Sequence, residues 1–186
     1  MADNLSLALL ERTLEQTGSL IDGVKPDQAK LPTPCTDWNV RQLVKHTVFD
    51  LKVFETMVNG AERPTPDDNL IGDDWSAAYK KASRGLLDAW NKRGIEGKMP
   101  PSRLGELPAT WALGQHLSDI AVHGWDIARA TGQPTEQDPE IGQTALDWGR
   151  DSLKPEFRGQ TFGPEVKVPE SAPLYDRVAA FFGRTP

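Results

Sequence analysis

Cysteine is almost missing from this chain. Cys35 stands alone among 186 residues, so no internal disulfide can form, which fits a reducing cytoplasm. A positive surplus is missing as well: 21 Lys and Arg face 27 Asp and Glu, giving a net charge of −6 at pH 7. A nucleic-acid partner needs a basic face, and this composition argues against one. Long apolar runs are also lacking. None approaches the roughly 20 residues that cross a bilayer, and the opening "MADNLSLALLERTLEQ" has an early acid and no basic leading segment, unlike an export signal. These absences point to a cytoplasmic chain with neither nucleic acid nor membrane as partner. The length suits one well-buried domain better than two. That domain is expected to span residues 1–186, with a bundle over about 1–152 and a tail over 153–186.

What is present is helical periodicity. Leu5, Leu9, Leu10, Leu14, Leu20 and Ile21 recur at steps of three and four, which predicts a first helix from Asn4 to Ile21. Prolines in "KLPTPCTDW" predict a loop, with Thr36 or Asp37 as the cap of a second helix from Trp38 to Val58. His46 lies beside the inner stripe of that helix. A loop rich in turn formers, "NGAERPTPDDNLIGDD", leads to a third helix from Asp74 to Asn91. Glycines and prolines from Gly94 to Pro108 predict a short hairpin or an irregular crossover. A fourth helix is expected from Ala109 to Ala130, closed by "ATGQP". Shorter helices are expected over Pro139–Ser152 and Pro173–Phe182, with at most one short strand at Glu165–Val168. Such amphipathic segments predict an all-α bundle. The second and third helices can be antiparallel neighbours, and the long link before the fourth permits a crossover at the bundle end.

Histidine is scarce, at three residues, and two of them fall in "HLSDIAVHGWDIARATG". Residues four and seven apart share a helix face, so His116, Asp119 and His123 line up together. Asp119 and His123 bring a carboxylate and an imidazole within reach of one ion. His46, on a facing helix, is the remaining histidine. Two imidazoles and one carboxylate leave a coordination position open, as in catalytic rather than structural metal sites. Zinc suits these ligands, and iron, nickel, cobalt and manganese also accept them. An ordinary helix contact between Asp119 and His123 is the competing reading.

Two stretches resemble a known family. "TPCTDWNVRQLVKHTV" is similar to its TPC-x-x-W-x-V-R-x-L-x-x-H signature, and "DIAVHGWDIARATGQ" to its E/D-x-x-x-H-x-W-D-L-A-x-A-T-G signature. The family is the mycothiol-dependent maleylpyruvate isomerase-like group of the DinB/YfiT-like superfamily. "LGELPA" and "FGPEVKVPESAPLYDRVAAFFGR" extend the resemblance over nearly the whole chain. It implies a four-helix bundle with long crossover connections and a divalent metal, usually zinc, held by His46, Asp119 and His123. It also implies mycothiol as co-substrate. Characterised isomerases of the group carry Glu where Asp119 stands and have an additional C-terminal domain, so this chain reads as a short form. His116 matches no ligand of the family; it is a supporting group, a fourth ligand or a polar residue near the site mouth.

Asp126 either orients His123 by accepting its second N–H or makes a helix-surface hydrogen bond. Trp38, Trp111, Trp125 and Trp148 fall on expected helices and read as packing residues. Cys35 reads as a small packing residue, and Arg129 and Arg177 as partners in surface ion pairs. The leading expectation is a metal-dependent thiol transferase or isomerase-like enzyme, in which the open metal position takes up the thiol for reaction with an electrophilic substrate. The alternatives are a metal or small-ligand binding module without catalysis and a metal-dependent hydrolase.

Overall fold

The structure is a computed structural model, and it describes residues 5–101, 105–153, 158–159 and 162–186. Among the described residues there are six α-helices: α1 Leu7–Asp22, α2 Val40–Asn59, α3 Trp75–Arg93, α4 Ala109–Thr131, α5 Pro139–Ser152 and α6 Leu174–Phe181. No strand occurs among the described residues, only isolated bridges. The expected strand at Glu165–Val168 is instead an extended segment, anchored where the Val166 N–H donates to the Ala180 carbonyl at 2.9 Å. The expected start of the first helix, Asn4, lies outside the described residues. Ser6 caps α1 by accepting from the Leu9 N–H at 3.2 Å.

The helices close into a ring. α1 packs on α4 and α3, while α2 packs on α3 and α4, so successive helices α1 and α2, and again α3 and α4, lie diagonally opposite. Residue pairs fix the directions. His46 meets His123 while Phe54 meets His116, so α2 and α4 are antiparallel. Arg41 lies over Trp75, and Glu55 abuts the Cα of Gly85; these pairs run in the same order, so α2 and α3 are parallel. This corrects the expected antiparallel pair. Parallel neighbours need a connection that returns along the bundle, and the turn-rich segment 60–74 supplies it. The expected crossover between Gly94 and Pro108 includes residues 102–104, which lie outside the described residues. Its hairpin-like base is held by the Met99 N–H on the Leu107 carbonyl at 2.8 Å and the Ala109 N–H on the Gly97 carbonyl at 2.9 Å.

The core lies in three clusters, each with residues from α4; the third is the small group of Trp125, Tyr175 and Ala179. Leu10, Leu14, Leu43, Leu51, Leu86, Trp90 and Leu113 fill the ring interior. Leu117, Val122, Ile141, Leu146, Phe181 and Phe182 pack where α5 and α6 cover the outer face of α4. Each such side chain contributes roughly 1.5–3 kcal/mol through burial. Because α4 is enclosed on both faces, most of its 23 residues are buried, and its polar side chains depend on partners inside the protein, which Asp126 finds and the Ser118 hydroxyl and His116 Nε2 do not. The helix stops at Gly132, whose φ of 71° is the left-handed conformation that the sequence "ATGQP" announces. Among the described residues, no helix is long and apolar enough to cross a membrane.

Candidate metal centre

The centre forms on the seam between α2 and α4. Asn39 starts α2 with a capping box, accepting from the Gln42 N–H at 3.0 Å while Gln42 accepts from the Asn39 N–H at 3.0 Å. The cap is therefore Asn39 rather than Thr36 or Asp37, because Gln42 stands three residues on and can answer it. Leu43, Val44, Thr47 and Leu51 point into the ring. His46 and Asp50, one turn apart beside that stripe, are half-buried, with the His46 Nε2 2.9 Å from an Asp50 carboxylate oxygen.

From α4, His123 presents its Nε2 3.9 Å from an Asp119 oxygen. The His46 and His123 rings meet edge to face with centroids 5.0 Å apart. One ligand atom from each of His46, Asp50 and His123 falls within 4.8 Å of the others. Trp38, just ahead of α2, stacks on His46 with a centroid separation of 3.9 Å.

Buried charge dominates the electrostatics. Asp126 is fully buried and approaches His123 Nδ1 at 3.2 Å through the carboxylate oxygen that also accepts from Arg184 Nη2 at 3.0 Å. Burial alone would lower the His123 pKa, but the negative charges of Asp119 and Asp126 and the Asp126 hydrogen bond outweigh it and hold it above the ordinary imidazole value. Burial, with repulsion from Asp50, raises the Asp119 carboxyl above its ordinary range, against the pull of His123. Asp50, Asp119 and Asp126 gather around the two imidazoles, with the Arg184 guanidinium against Asp126, and a divalent ion would add positive charge where these carboxyl groups meet. The donor set fits: nitrogen and oxygen ligands from two facing helices suit zinc and its neighbours.

The sequence-derived residues fare differently. His46 and His123 meet on this seam, but the carboxylate that converges with both is Asp50; Asp119 lies 3.9 Å from His123 Nε2 and outside that trio, while Asp126 contacts His123 Nδ1. His116 sits elsewhere: its Nδ1 accepts from the Trp90 indole at 3.2 Å, and its ring stacks on Phe54. Trp38 precedes the helix and covers His46, while Trp125 and Trp148 pack in the core as expected. Cys35 is partly buried, and desolvation pushes its thiol up to about 11, which favours the protonated form over the nucleophilic thiolate. Sequence reasoning missed Asp50, Arg184 and the role of Trp38. The H-x-x-x-D spacing of His46 and Asp50 mirrors D-x-x-x-H and was a usable signal for the first; the reach of Arg184 back to α4 has no local signature.

Comparison with known proteins places these features. Residues 10–128 match the family described as "Mycothiol maleylpyruvate isomerase N-terminal domain". The chain is also similar to uncharacterized proteins from two strains of Mycobacterium tuberculosis, each 33% identical over 178 residues that cover 94% of this chain and 95% of theirs. No solved structure matches. His46, Asp50, Asp119, His123 and Asp126 all fall within the matched residues. This all-α, DinB-like bundle belongs to the mycothiol maleylpyruvate isomerase N-terminal domain family.

Proposed function

We propose that the chain binds one divalent metal ion, zinc first among the candidates, and uses it in a thiol transferase or isomerase-like reaction with a mycothiol-type co-substrate. The observation that carries this reading is the convergence of His46, Asp50 and His123 across the α2–α4 seam. His46 and His123 would provide neutral nitrogens and one of Asp50 and Asp119 the carboxylate, which leaves a position open for the thiol. A bound ion would supply Lewis acidity that lowers the pKa of a coordinated thiol. Asp126 keeps His123 turned toward the seam, and Trp38 shields one face of His46 from water. A cleft of about 310 Å³ beside His46, lined by Trp38, Phe49 and Leu70 with Gln42 and Lys45, offers space for a small thiol or its electrophilic substrate.

We read the chain as one domain that acts in the cytoplasm on small molecules; the residues that α4 gives to every core cluster support the single domain. One feature favours a second reading, metal binding without turnover. Asp50 adds a second carboxylate, and four protein ligands leave a zinc site closed.

Elemental mass spectrometry of the untagged protein tests the site, with Ala variants of His46, Asp50, Asp119 and His123. Near-stoichiometric metal in the wild type, lost in the His46 and His123 variants, is expected. Unchanged metal in His123→Ala sinks the assignment. Retention in Asp50→Ala but not Asp119→Ala makes Asp119 the ligand, and the reverse pattern makes it Asp50. Turnover of an electrophile that requires the thiol, set against hydrolysis without it, then separates the enzyme from the binding module.

A further inference from the structure

We propose that Arg184 is a positioning residue of the metal centre: from the C-terminal end of the chain it fixes the Asp126 carboxylate, and through it the orientation and tautomer of His123. The inference rests on the metal reading above for its purpose, and on side-chain geometry for its form. Asp126 has no exposure to solvent, so its oxygens must be satisfied from within the protein. Arg184 Nη2 donates to one oxygen at 3.0 Å, and Nε spans both at 3.3 and 3.4 Å. The remaining approach is that of His123 Nδ1 at 3.2 Å.

A carboxylate only accepts, so a clamped Asp126 requires His123 Nδ1 to be the protonated nitrogen. In the neutral ring the lone pair then lies on Nε2, which faces Asp119. A hydrogen-bonded support of this kind sets which imidazole nitrogen meets a metal.

Arg184 is itself held in place. Its Nη1 donates to the Phe182 carbonyl at 3.0 Å, its backbone N–H donates to the Ala179 carbonyl at 2.9 Å, and its side chain is 11% exposed. The clamp is thus a fixed piece of the turn that ends α6. The family match ends at residue 128, so this contact comes from outside the region that defines the family. The C-terminal turn after α6 becomes a working part of a site whose candidate ligands come from α2 and α4.

The test uses the full chain as wild type, Arg184→Met and Arg184→Lys, with Co²⁺ as the probe ion. Affinity is measured by competition with a chromophoric chelator, and the ligand-field spectrum is recorded alongside. Nitrogen-15 NMR of the His123 ring in metal-free protein reports the tautomer directly. Arg184→Met is expected to weaken Co²⁺ binding about tenfold or more, to alter the spectrum and to mix the two tautomers, while Arg184→Lys restores most of the affinity and the Nδ1–H form. Wild-type affinity together with an unchanged tautomer in Arg184→Met overturns the inference and leaves the metal reading standing. If the wild type binds no Co²⁺, the metal reading falls, and the role for Arg184 in metal binding falls with it; the NMR comparison still decides whether Arg184 sets the tautomer. Should Arg184→Met fail to fold, Arg184→Gln, which keeps one donor without the charge, replaces it. A smaller loss of affinity is then expected, and no loss overturns the inference.

Discussion

His116 shows how far a single residue departs from its spacing on a helix. It shares a face with His123 but lies two turns away, roughly 10 Å along the axis, where Trp90 and Phe54 rather than Asp50 and His46 await it. Burial pushes its pKa down to about 3 from an ordinary 6.5, so it is neutral in the folded protein. The unfolded chain takes up a proton there first. Its contribution to stability is therefore whole above pH 6.5 and is lost as pH falls from 6.5 toward 3. Urea unfolding from pH 7 to pH 4 should show wild-type stability falling with acid more steeply than that of His116→Phe, by up to about 1.4 kcal/mol per pH unit. Identical slopes would mean that His116 is not buried neutral. The same comparison shows what was legible at this scale. Spacing reveals which face a side chain occupies; the neighbouring helix decides its partners, which is why His46 and His123 could be paired from sequence while His116 could not be placed.

At the scale of the helix, α4 is the informative element. Its end at Gly132 was readable in "ATGQP"; its near-continuous burial and the placement of α5 against it were not. Gly114 makes that contact possible, since a Cβ there would lie 2.2 Å from Trp148 Cδ1. The Trp148 indole is held by donating to the Trp111 carbonyl at 3.1 Å, so it cannot easily retreat. Gly114→Ala should therefore destabilise by about 1–3 kcal/mol, although alanine is the better helix former by about 1 kcal/mol. Thermal unfolding decides which effect wins, and a higher melting temperature would contradict the packing argument. Caps were only partly legible. The prolines around Cys35 placed a helix start nearby, but choosing Asn39 required seeing that Gln42 returns its hydrogen bond.

For the whole molecule, the centre ties together helices far apart in sequence. Any ion that binds only the folded form stabilises it by mass action, about 2.7 kcal/mol at a free concentration a hundredfold above Kd. Zinc should thus raise the melting temperature of the wild type, a chelator should reverse the gain, and His123→Ala should respond to neither. A shift of equal size in His123→Ala would place the ion elsewhere. The ring topology was beyond sequence reading, because amphipathic stripes define buried faces without stating which helices run in the same direction.

That direction has a consequence in the segment 60–74. Joining the end of α2 to the start of a parallel α3 means travelling the length of a 20-residue helix, about 30 Å, which takes at least nine or so extended residues at about 3.4 Å each. The segment exceeds this by a modest slack, so removing two or three residues is tolerable. Removing eight leaves a tether too short for α3 to dock beside its own α2. The lowest-cost escape is exchange between two copies, a domain-swapped dimer visible by analytical ultracentrifugation. In that dimer the half-sites are redistributed: His46 and Asp50 from one chain would face Asp119 and His123 of the other.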